Sequence, residues 1–286
     1  MSITAKELVS NVSDKISLPD TVVRVNYMVG HPGFSAADIG DTISSDQDLS
    51  ARLLRIANSR FFNFPSHIDN VHRAVTVIGN RELRDLLLAT SAIDVFDKLP
   101  NDLVSIETFW RHSLRCAVIS RTLAKQLHKA NVERYFTAGL LHDIGSLLIN
   151  YQLPEQAKEI LAQSNHHRQR RFLIEQEILG FSHADVGAEL LRLWGLPDYI
   201  ISSVEYHHTP SLTNRFQQDV AIAHIANYLS NTMLTNIGEN PDASVGLDLS
   251  TLQTANLSPE ELQSVLKRSD QQFDDTLEIM VYDEVA

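Results

Sequence analysis

His142 and Asp143 stand side by side in Gly139-Leu140-Leu141-His142-Asp143-Ile144-Gly145, an ionisable pair inside an otherwise apolar helical run. Moving a carboxylate out of water is costly unless a cation, a counter-charge or several hydrogen bonds compensate it. Two readings follow: a metal site, or a hydrogen-bonded pair bracing two helices. Four further histidines favour the metal. His112 lies on the stripe Phe109, His112, Cys116, Ile119, Leu123, Leu127, whose three- and four-residue steps mark the inward face of one helix. His183 follows Ser182 at the entrance of a predicted helix over 184–194, where Ser182 and Asp185 form an acidic variant of the capping box. His207 and His208 close a predicted helix over 198–208, which Thr209-Pro210 ends. Adjacent helical residues point about 100° apart, so one of the two can face a site while the other faces its rim. Singly, each is an ordinary core or surface histidine; together they form a candidate ligand set. His31, His67, His72, His128, His166, His167 and His224 show no such relation, and His166-His167 reads as part of a solvated loop.

The ordered set His112, His142-Asp143, His183 and His207-His208 resembles the HD superfamily of helical metal-dependent phosphohydrolases. Trp194-Gly195-Leu196-Pro197-Asp198 followed by His207-His208-Thr209-Pro210 is closer still to the HD-related output domain, HDOD, a signalling relative of the cyclic-dinucleotide-cleaving HD-GYP proteins. Leu18-Pro19, the stretch from Asp46 through Ala57-Asn58-Ser59, and Ala74-Val75-Thr76-Val77-Ile78-Gly79 look like motifs of that family in its order. The resemblance covers roughly residues 15 to 230 and implies a metal held by His112, His142, Asp143, His183, His207 and His208. It also implies phosphohydrolase chemistry in which Asp143 is the catalytic carboxylate.

Departures from the pattern bear on that chemistry. HD-GYP enzymes carry a lysine three residues after the doublet's aspartate, where this chain has Ser146, and a glutamate with a Gly-Tyr-Pro element after the paired histidines, where it runs Thr209-Pro210-Ser211. The aspartate that normally completes the metal site is matched by Asn227, on a predicted helix over 216–234. An amide coordinates only through a neutral oxygen, which weakens the hold on a hard divalent ion. Imidazoles with one carboxylate suit iron, manganese, zinc or nickel better than calcium or magnesium, and the set leaves open whether one or two ions bind.

The elements that must position these residues read as all-α, because apolar residues recur at three and four without convincing alternating strands. The breaks fall at Gly30-His31-Pro32-Gly33, Phe64-Pro65-Ser66, Leu99-Pro100-Asn101 and 235–244. They divide the chain into an N-terminal helical part over 1–99, an HD-like bundle over 100–235, and a linker with a terminal helix over 236–286. Ser258-Pro259-Glu260-Glu261 supplies the start of that last helix, whose apolar side (Leu262, Val265, Leu266, Phe273, Leu277, Met280) is expected to pack on the core.

The 286 residues carry a net charge of −12, which argues against nonspecific nucleic-acid binding. The basic cluster Arg168, Arg170, Arg171 reads as a solvated face. The chain has no long apolar run and a single cysteine, Cys116, read as a small core residue; residues 1–7 lack the basic and apolar regions of a secretory signal, and a cytoplasmic location without membrane contact is expected. No sensor, receiver or cyclase-like segment is recognisable, so the input is expected through association or a small ligand. The expected function is a signalling module of bacterial type with an HD-type metal pocket, acting through a protein partner. The alternative is a metal-dependent phosphohydrolase whose ligand is a nucleotide, a cyclic dinucleotide or another phosphoester.

Overall fold

The structure, a computed structural model, describes residues 3–59, 67–101, 103–164, 168–232 and 247–277. It is all-α, with no strand among the described residues. The N-terminal helices are α1 (Ala5–Ser10), α2 (Asp20–Val29), α3 (Ala36–Ser44), α4 (Gln47–Ala57), α5 (Val71–Ile78) and α6 (Asn80–Asp97). The bundle follows with α7 (Ile106–Gln126), α8 (Glu133–Leu141), α9 (Gly145–Gln152), α10 (Pro154–Gln163), α11 (Arg168–Leu179), α12 (His183–Leu193), α13 (Asp198–Glu205) and α14 (Gln217–Thr232). Helices α15 (Leu249–Ala255) and α16 (Pro259–Leu277) complete the described chain. The predicted breaks at 30–33 and 99–101 separate α2 from α3 and α6 from α7. The breaks at 64–66 and 235–244, the His166-His167 pair, and Met280 lie outside the described residues. No helix among the described residues is long and apolar enough to cross a membrane.

Helix α7 is the axis of the bundle, packing against α8, α14 and α16. One side of it joins the large apolar cluster through Phe109, Trp110, Leu114 and Val118. That cluster runs from Leu8 and Val22 in the N-terminal helices through Phe96 to Trp194 and Leu196. The other side, with Cys116, Ile119 and Leu123, meets Ile222 and Ile225 of α14 and Val265 of α16 in a second cluster. Helix α16 therefore packs back on the bundle. Its start is the expected one: Ser258 N–H donates to Glu261 Oε2 at 2.8 Å and Glu261 N–H to Ser258 Oγ at 3.4 Å.

Two polar devices set the register of these layers. Arg121 of α7 donates three bonds of 2.9–3.0 Å to Glu133 at the start of α8, in a buried pair that aligns the two helices. Breaking such a pair leaves an uncompensated buried charge, so it specifies the pairing of α7 with α8 more than it adds net stability. In the Trp-Gly-Leu-Pro segment, the Trp194 indole donates to the Ile16 carbonyl at 2.8 Å, and Asn26 donates to the Gly195 carbonyl at 3.0 Å. This motif thus binds the N-terminal helices to the bundle.

Candidate metal centre

The chain reaches the doublet through α8, and the helix stops there. Residues 142–144 form a tightened turn, with Ile144 N–H donating to the Leu141 carbonyl at 3.1 Å and Ser146 N–H to the Asp143 carbonyl at 2.9 Å. The apolar run expected as one helix is therefore two, α8 and α9, parted by a stretch of i to i+3 bonding of the sort often found at functional positions. Two glycines let this turn approach its neighbours. A Cβ at Gly139 would lie 2.7 Å from Ala117 Cα of α7, and one at Gly145 would lie 2.1 Å from the His183 carbonyl oxygen of α12. Such close approaches place His142-Asp143 between His112 and His183.

Ser182 caps α12 as expected, receiving Asp185 N–H at 3.4 Å while Asp185 Oδ2 accepts Ser182 N–H at 2.7 Å. His183 is then the first residue of α12. The helix expected to run to His208 instead ends at Glu205, because Tyr206 leaves helical geometry and Thr209 N–H turns back to the Tyr206 carbonyl at 3.0 Å. His207 and His208 therefore sit in the following turn, His207 fully buried and His208 half-buried at the rim.

The five predicted histidines gather around Asp143. Its Oδ1 lies 3.2 Å from His142 Nε2, 3.2 Å from His183 Nε2 and 3.6 Å from His207 Nε2, and its Oδ2 lies 3.5 Å from His112 Nε2. His208 Nε2 is 3.0 Å from His183 Nε2. The donors fall into two sets whose ligand atoms lie within 4.8 Å of one another: Asp143, His183, His207, His208, and His112, His142, Asp143. Asp143 is common to both.

The tautomers test whether these donors fit a metal. His142 Nδ1 is 2.8 Å from the Gly139 carbonyl and His207 Nδ1 is 2.6 Å from the Val204 carbonyl. A carbonyl can only accept, so each Nδ1 carries a proton. In a neutral ring each Nε2 then presents a lone pair inward, and neither Nε2 makes a hydrogen bond of acceptable geometry. Buried lone pairs aimed at a carboxylate need a cation between them, so the set fits a divalent ion.

In the metal-free protein, protons supply that positive charge. Burial opposes ionisation of His142, but the Asp143 carboxylate and then the Cys116 thiol hold its pKa well above the usual value. Burial likewise opposes His183, yet Glu175 and Asp143 hold it up at about 9. Asp143, despite burial, is held well below the usual carboxylate range, chiefly by His142. Burial and repulsion from the charged rings push His207 down to about 4 and His208 well below its ordinary value. Metal binding must displace the protons on His142 and His183. Zinc affinity is therefore expected to rise with pH, by up to about tenfold per unit for each proton released, with the His183 contribution levelling off above about 9. The sign for the metal-free fold is opposite. A histidine raised from 6.5 to about 9 contributes stability that is complete below 6.5 and lost as pH climbs through 9. Calorimetric zinc titrations in buffers of different ionisation enthalpy count the protons. Affinity independent of pH between 6 and 8 would refute the assignment.

The composition of the site extends beyond the expected set. Glu175, buried on α11, accepts from His183 Nδ1 at 2.5 Å, and Arg171 Nε donates to its other oxygen at 2.9 Å. His224 of α14 donates from Nδ1 to the His207 carbonyl at 2.7 Å and holds that turn from behind. The mouth is lined by Asp143, Ser146, Arg171, His183, His208 and Asn227, with Phe172 stacked on His208 at 4.5 Å. Arg171 thus belongs to the site, correcting its reading as part of a solvated face; Arg170 is exposed. Ser146 and Asn227 occupy the mouth where the departures in sequence placed them, and Asn227 Oδ1 accepts from Asn231 at 2.9 Å. Cys116 is buried against His142. His31, His67, His72 and His128 are exposed and apart from the cluster.

An all-helical bundle whose His-Asp doublet gathers four more imidazoles is the architecture of the HD class. Residues 16–210 match the HDOD domain model, and the chain belongs to that family. It is 24% identical over 207 residues to an uncharacterized protein of Treponema pallidum (strain Nichols), a match covering 71% of this chain and 40% of the length of that curated relative. Its fold is similar to the crystal structure of a "Putative phosphohydrolase" from Shewanella amazonensis SB2B, with a TM-score of 0.75 and 23% identity over 96% of this chain and 98% of that one. It is equally similar, with a TM-score of 0.75, to an HDOD domain protein with unknown function from Geobacter sulfurreducens, at 21% identity over 97% of this chain and 98% of that one. At these identities the two structures establish the shared fold.

Proposed function

We propose that this chain is a signalling module that binds one or two first-row transition ions (iron, manganese, zinc or nickel) in its HD pocket and acts through a protein partner. The observation that carries this reading is the contrast between the depth of the pocket and its mouth. Within the pocket, four buried imidazoles and Asp143, with His208 at the rim, are arranged as ligands, with Nδ1 of His142 and of His207 tied to carbonyls. At the mouth, a hydroxyl (Ser146) and a neutral amide (Asn227) stand where related hydrolases present a lysine and an aspartate. A pocket that retains binding groups but has lost groups that orient a phosphodiester favours holding a ligand over turning it over.

A second reading has one specific observation behind it. Arg171 places a guanidinium at the mouth, where Nε and Nη2 are committed to Glu175 and Asn150 and the third nitrogen makes no hydrogen bond among the described residues. A phosphate group entering the pocket would meet this cation. A bound ion would supply Lewis-acid polarisation of a phosphoryl oxygen. Asp143, held ionised, would accept the proton of the attacking water.

The deciding experiment measures metal in protein purified without chelator or affinity-resin metal, then assays manganese- and iron-loaded protein against nucleotides, cyclic dinucleotides and phosphomonoesters. The signalling reading expects retained metal and no turnover that depends on Asp143. Turnover lost in Asp143→Asn would replace it with the hydrolase, and folded protein that takes up no added metal would remove the metal from both. Crosslinking from native extract with the purified chain as bait, followed by reconstitution with the recovered protein, tests the partner.

A further inference from the structure

Behind the predicted ligands lies a buried acid that the sequence pattern does not single out. Glu175 is 0% exposed and accepts three N–H donors. Its Oε2 receives both the backbone N–H of His183 at 2.7 Å and the His183 ring Nδ1 at 2.5 Å, and its Oε1 receives Arg171 Nε at 2.9 Å. Arg171 extends the chain of contacts by donating from Nη2 to Asn150 Oδ1 of α9 at 3.1 Å. Helices α9, α11 and α12 are thereby joined through one carboxylate directly behind His183.

We infer that Glu175, clamped by Arg171, is the positioning residue of the metal site: it fixes the His183 ring so that Nε2 faces Asp143. The inference rests on the metal reading above and adds a residue to it. His183 opens α12, so its backbone N–H has no partner within the helix and an acceptor from a neighbouring element is needed there in any case. A cap alone would use one bond to the main chain. Glu175 uses the same oxygen to bind the ring as well, which protonates Nδ1, leaves Nε2 as the ligand atom and raises its basicity. Only a carboxylate satisfies all three donors. A glutamine presents an NH₂ group on one side and sets two N–H groups against each other, whichever way it turns. The clamp also depends on charge, because Arg171 Nε donates to Glu175 Oε1 at 2.9 Å and is the positive partner left to that carboxylate once the His183 ring binds a metal as a neutral ligand.

The test uses the full chain and zinc as the probe, with affinity measured by competition against a chromogenic chelator. Glu175→Gln, with its fold checked by circular dichroism, is expected to bind zinc about 10- to 100-fold more weakly than wild type. Arg171→Lys, which keeps the charge, is expected to retain more of the affinity than Arg171→Met. A folded Glu175→Gln protein with wild-type affinity overturns the inference and leaves the metal reading standing. A wild-type chain that binds no zinc overturns both. Should Glu175→Gln fail to fold, long-range ¹⁵N–¹H spectra of zinc-loaded wild type decide the matter. Zinc on Nε2 of His183 with a proton on Nδ1 supports the inference, and zinc on Nδ1 overturns it.

Discussion

An Asp143→Ala protein is expected to fold and to bind no metal, while His208→Ala keeps a weakened site. The difference follows from where the two side chains stand. Asp143 belongs to both donor sets and is the only anion within them, with one oxygen near three ring nitrogens and the other near His112. Its loss leaves five neutral donors with no charge to offset that of a divalent ion. His208 contributes a single ligand to one set and stands at the rim. Removing an orienting partner of a metal ligand typically costs about 10- to 100-fold in affinity; removing the shared anion must cost more. Ligand linkage makes this visible in thermal melts. A metal present at about 100 times its dissociation constant stabilises the wild-type fold by about 2.7 kcal/mol, and Asp143→Ala forfeits that shift altogether. The metal-free variant should still fold, because alanine removes the negative partner that chiefly holds His142 protonated, so that ring can become neutral, while Glu175 still balances the charge of His183. A melting shift by zinc or manganese in Asp143→Ala equal to that of wild type would show that the ion sits elsewhere.

The clustering of these six side chains was legible in sequence because they combine unusual chemistry with local punctuation. A histidine on an apolar stripe, a histidine after a capping box and a histidine pair before a proline each announce where their side chains lie. Asp143 stands out because a carboxylate in an apolar run demands compensation. The capping boxes at Ser182 and Ser258, the glycine-proline break after α2 and the all-α class belong to the same legible layer, since each is set by residues within four positions of one another.

What escaped the sequence is tertiary. Glu175 is separated from His183 by a turn through Gly180 at φ +80°, so the two fall on different helices and no periodicity links them. Its helix, Arg168–Leu179, lacks a clear apolar stripe, which made Arg171 read as one more solvated cation. His224 reaches the site through a main-chain carbonyl, a contact with no sequence signature. The interruptions at 142–144 and after Glu205 were also hidden, because propensity alone continues a helix until a breaker appears. Here the neighbouring helices set the end of α8 and the turn after α13.

The same tertiary layer supplies the second large effect. Gly145→Ala is expected to destabilise the protein by about 3 kcal/mol, the upper end of the range for overpacked positions, and to weaken metal binding without touching a ligand. The added Cβ would lie 2.1 Å from the His183 carbonyl oxygen, 2.5 Å from the Gly187 nitrogen and 3.0 Å from Val186 Cβ. The two closest obstacles are main-chain atoms of α12, which cannot swing aside as a flexible side chain would. Helices α9 and α12 must therefore separate, carrying the doublet away from His183, and the 3.2 Å approach of Asp143 to that ring is lost. For a chain of this size, about 3 kcal/mol corresponds to a fall in melting temperature of roughly 6 to 12 °C. Gly33→Ala is the control, since a Cβ there meets nothing within 4 Å. Calorimetry and zinc titration of the two variants separate the outcomes. If Gly145→Ala melted with wild type and bound zinc as tightly, the close contact between α9 and α12 would not be what assembles the site. If only Gly145→Ala lost both stability and affinity, the approach of these two helices would be as much a part of the metal centre as the histidines it brings together.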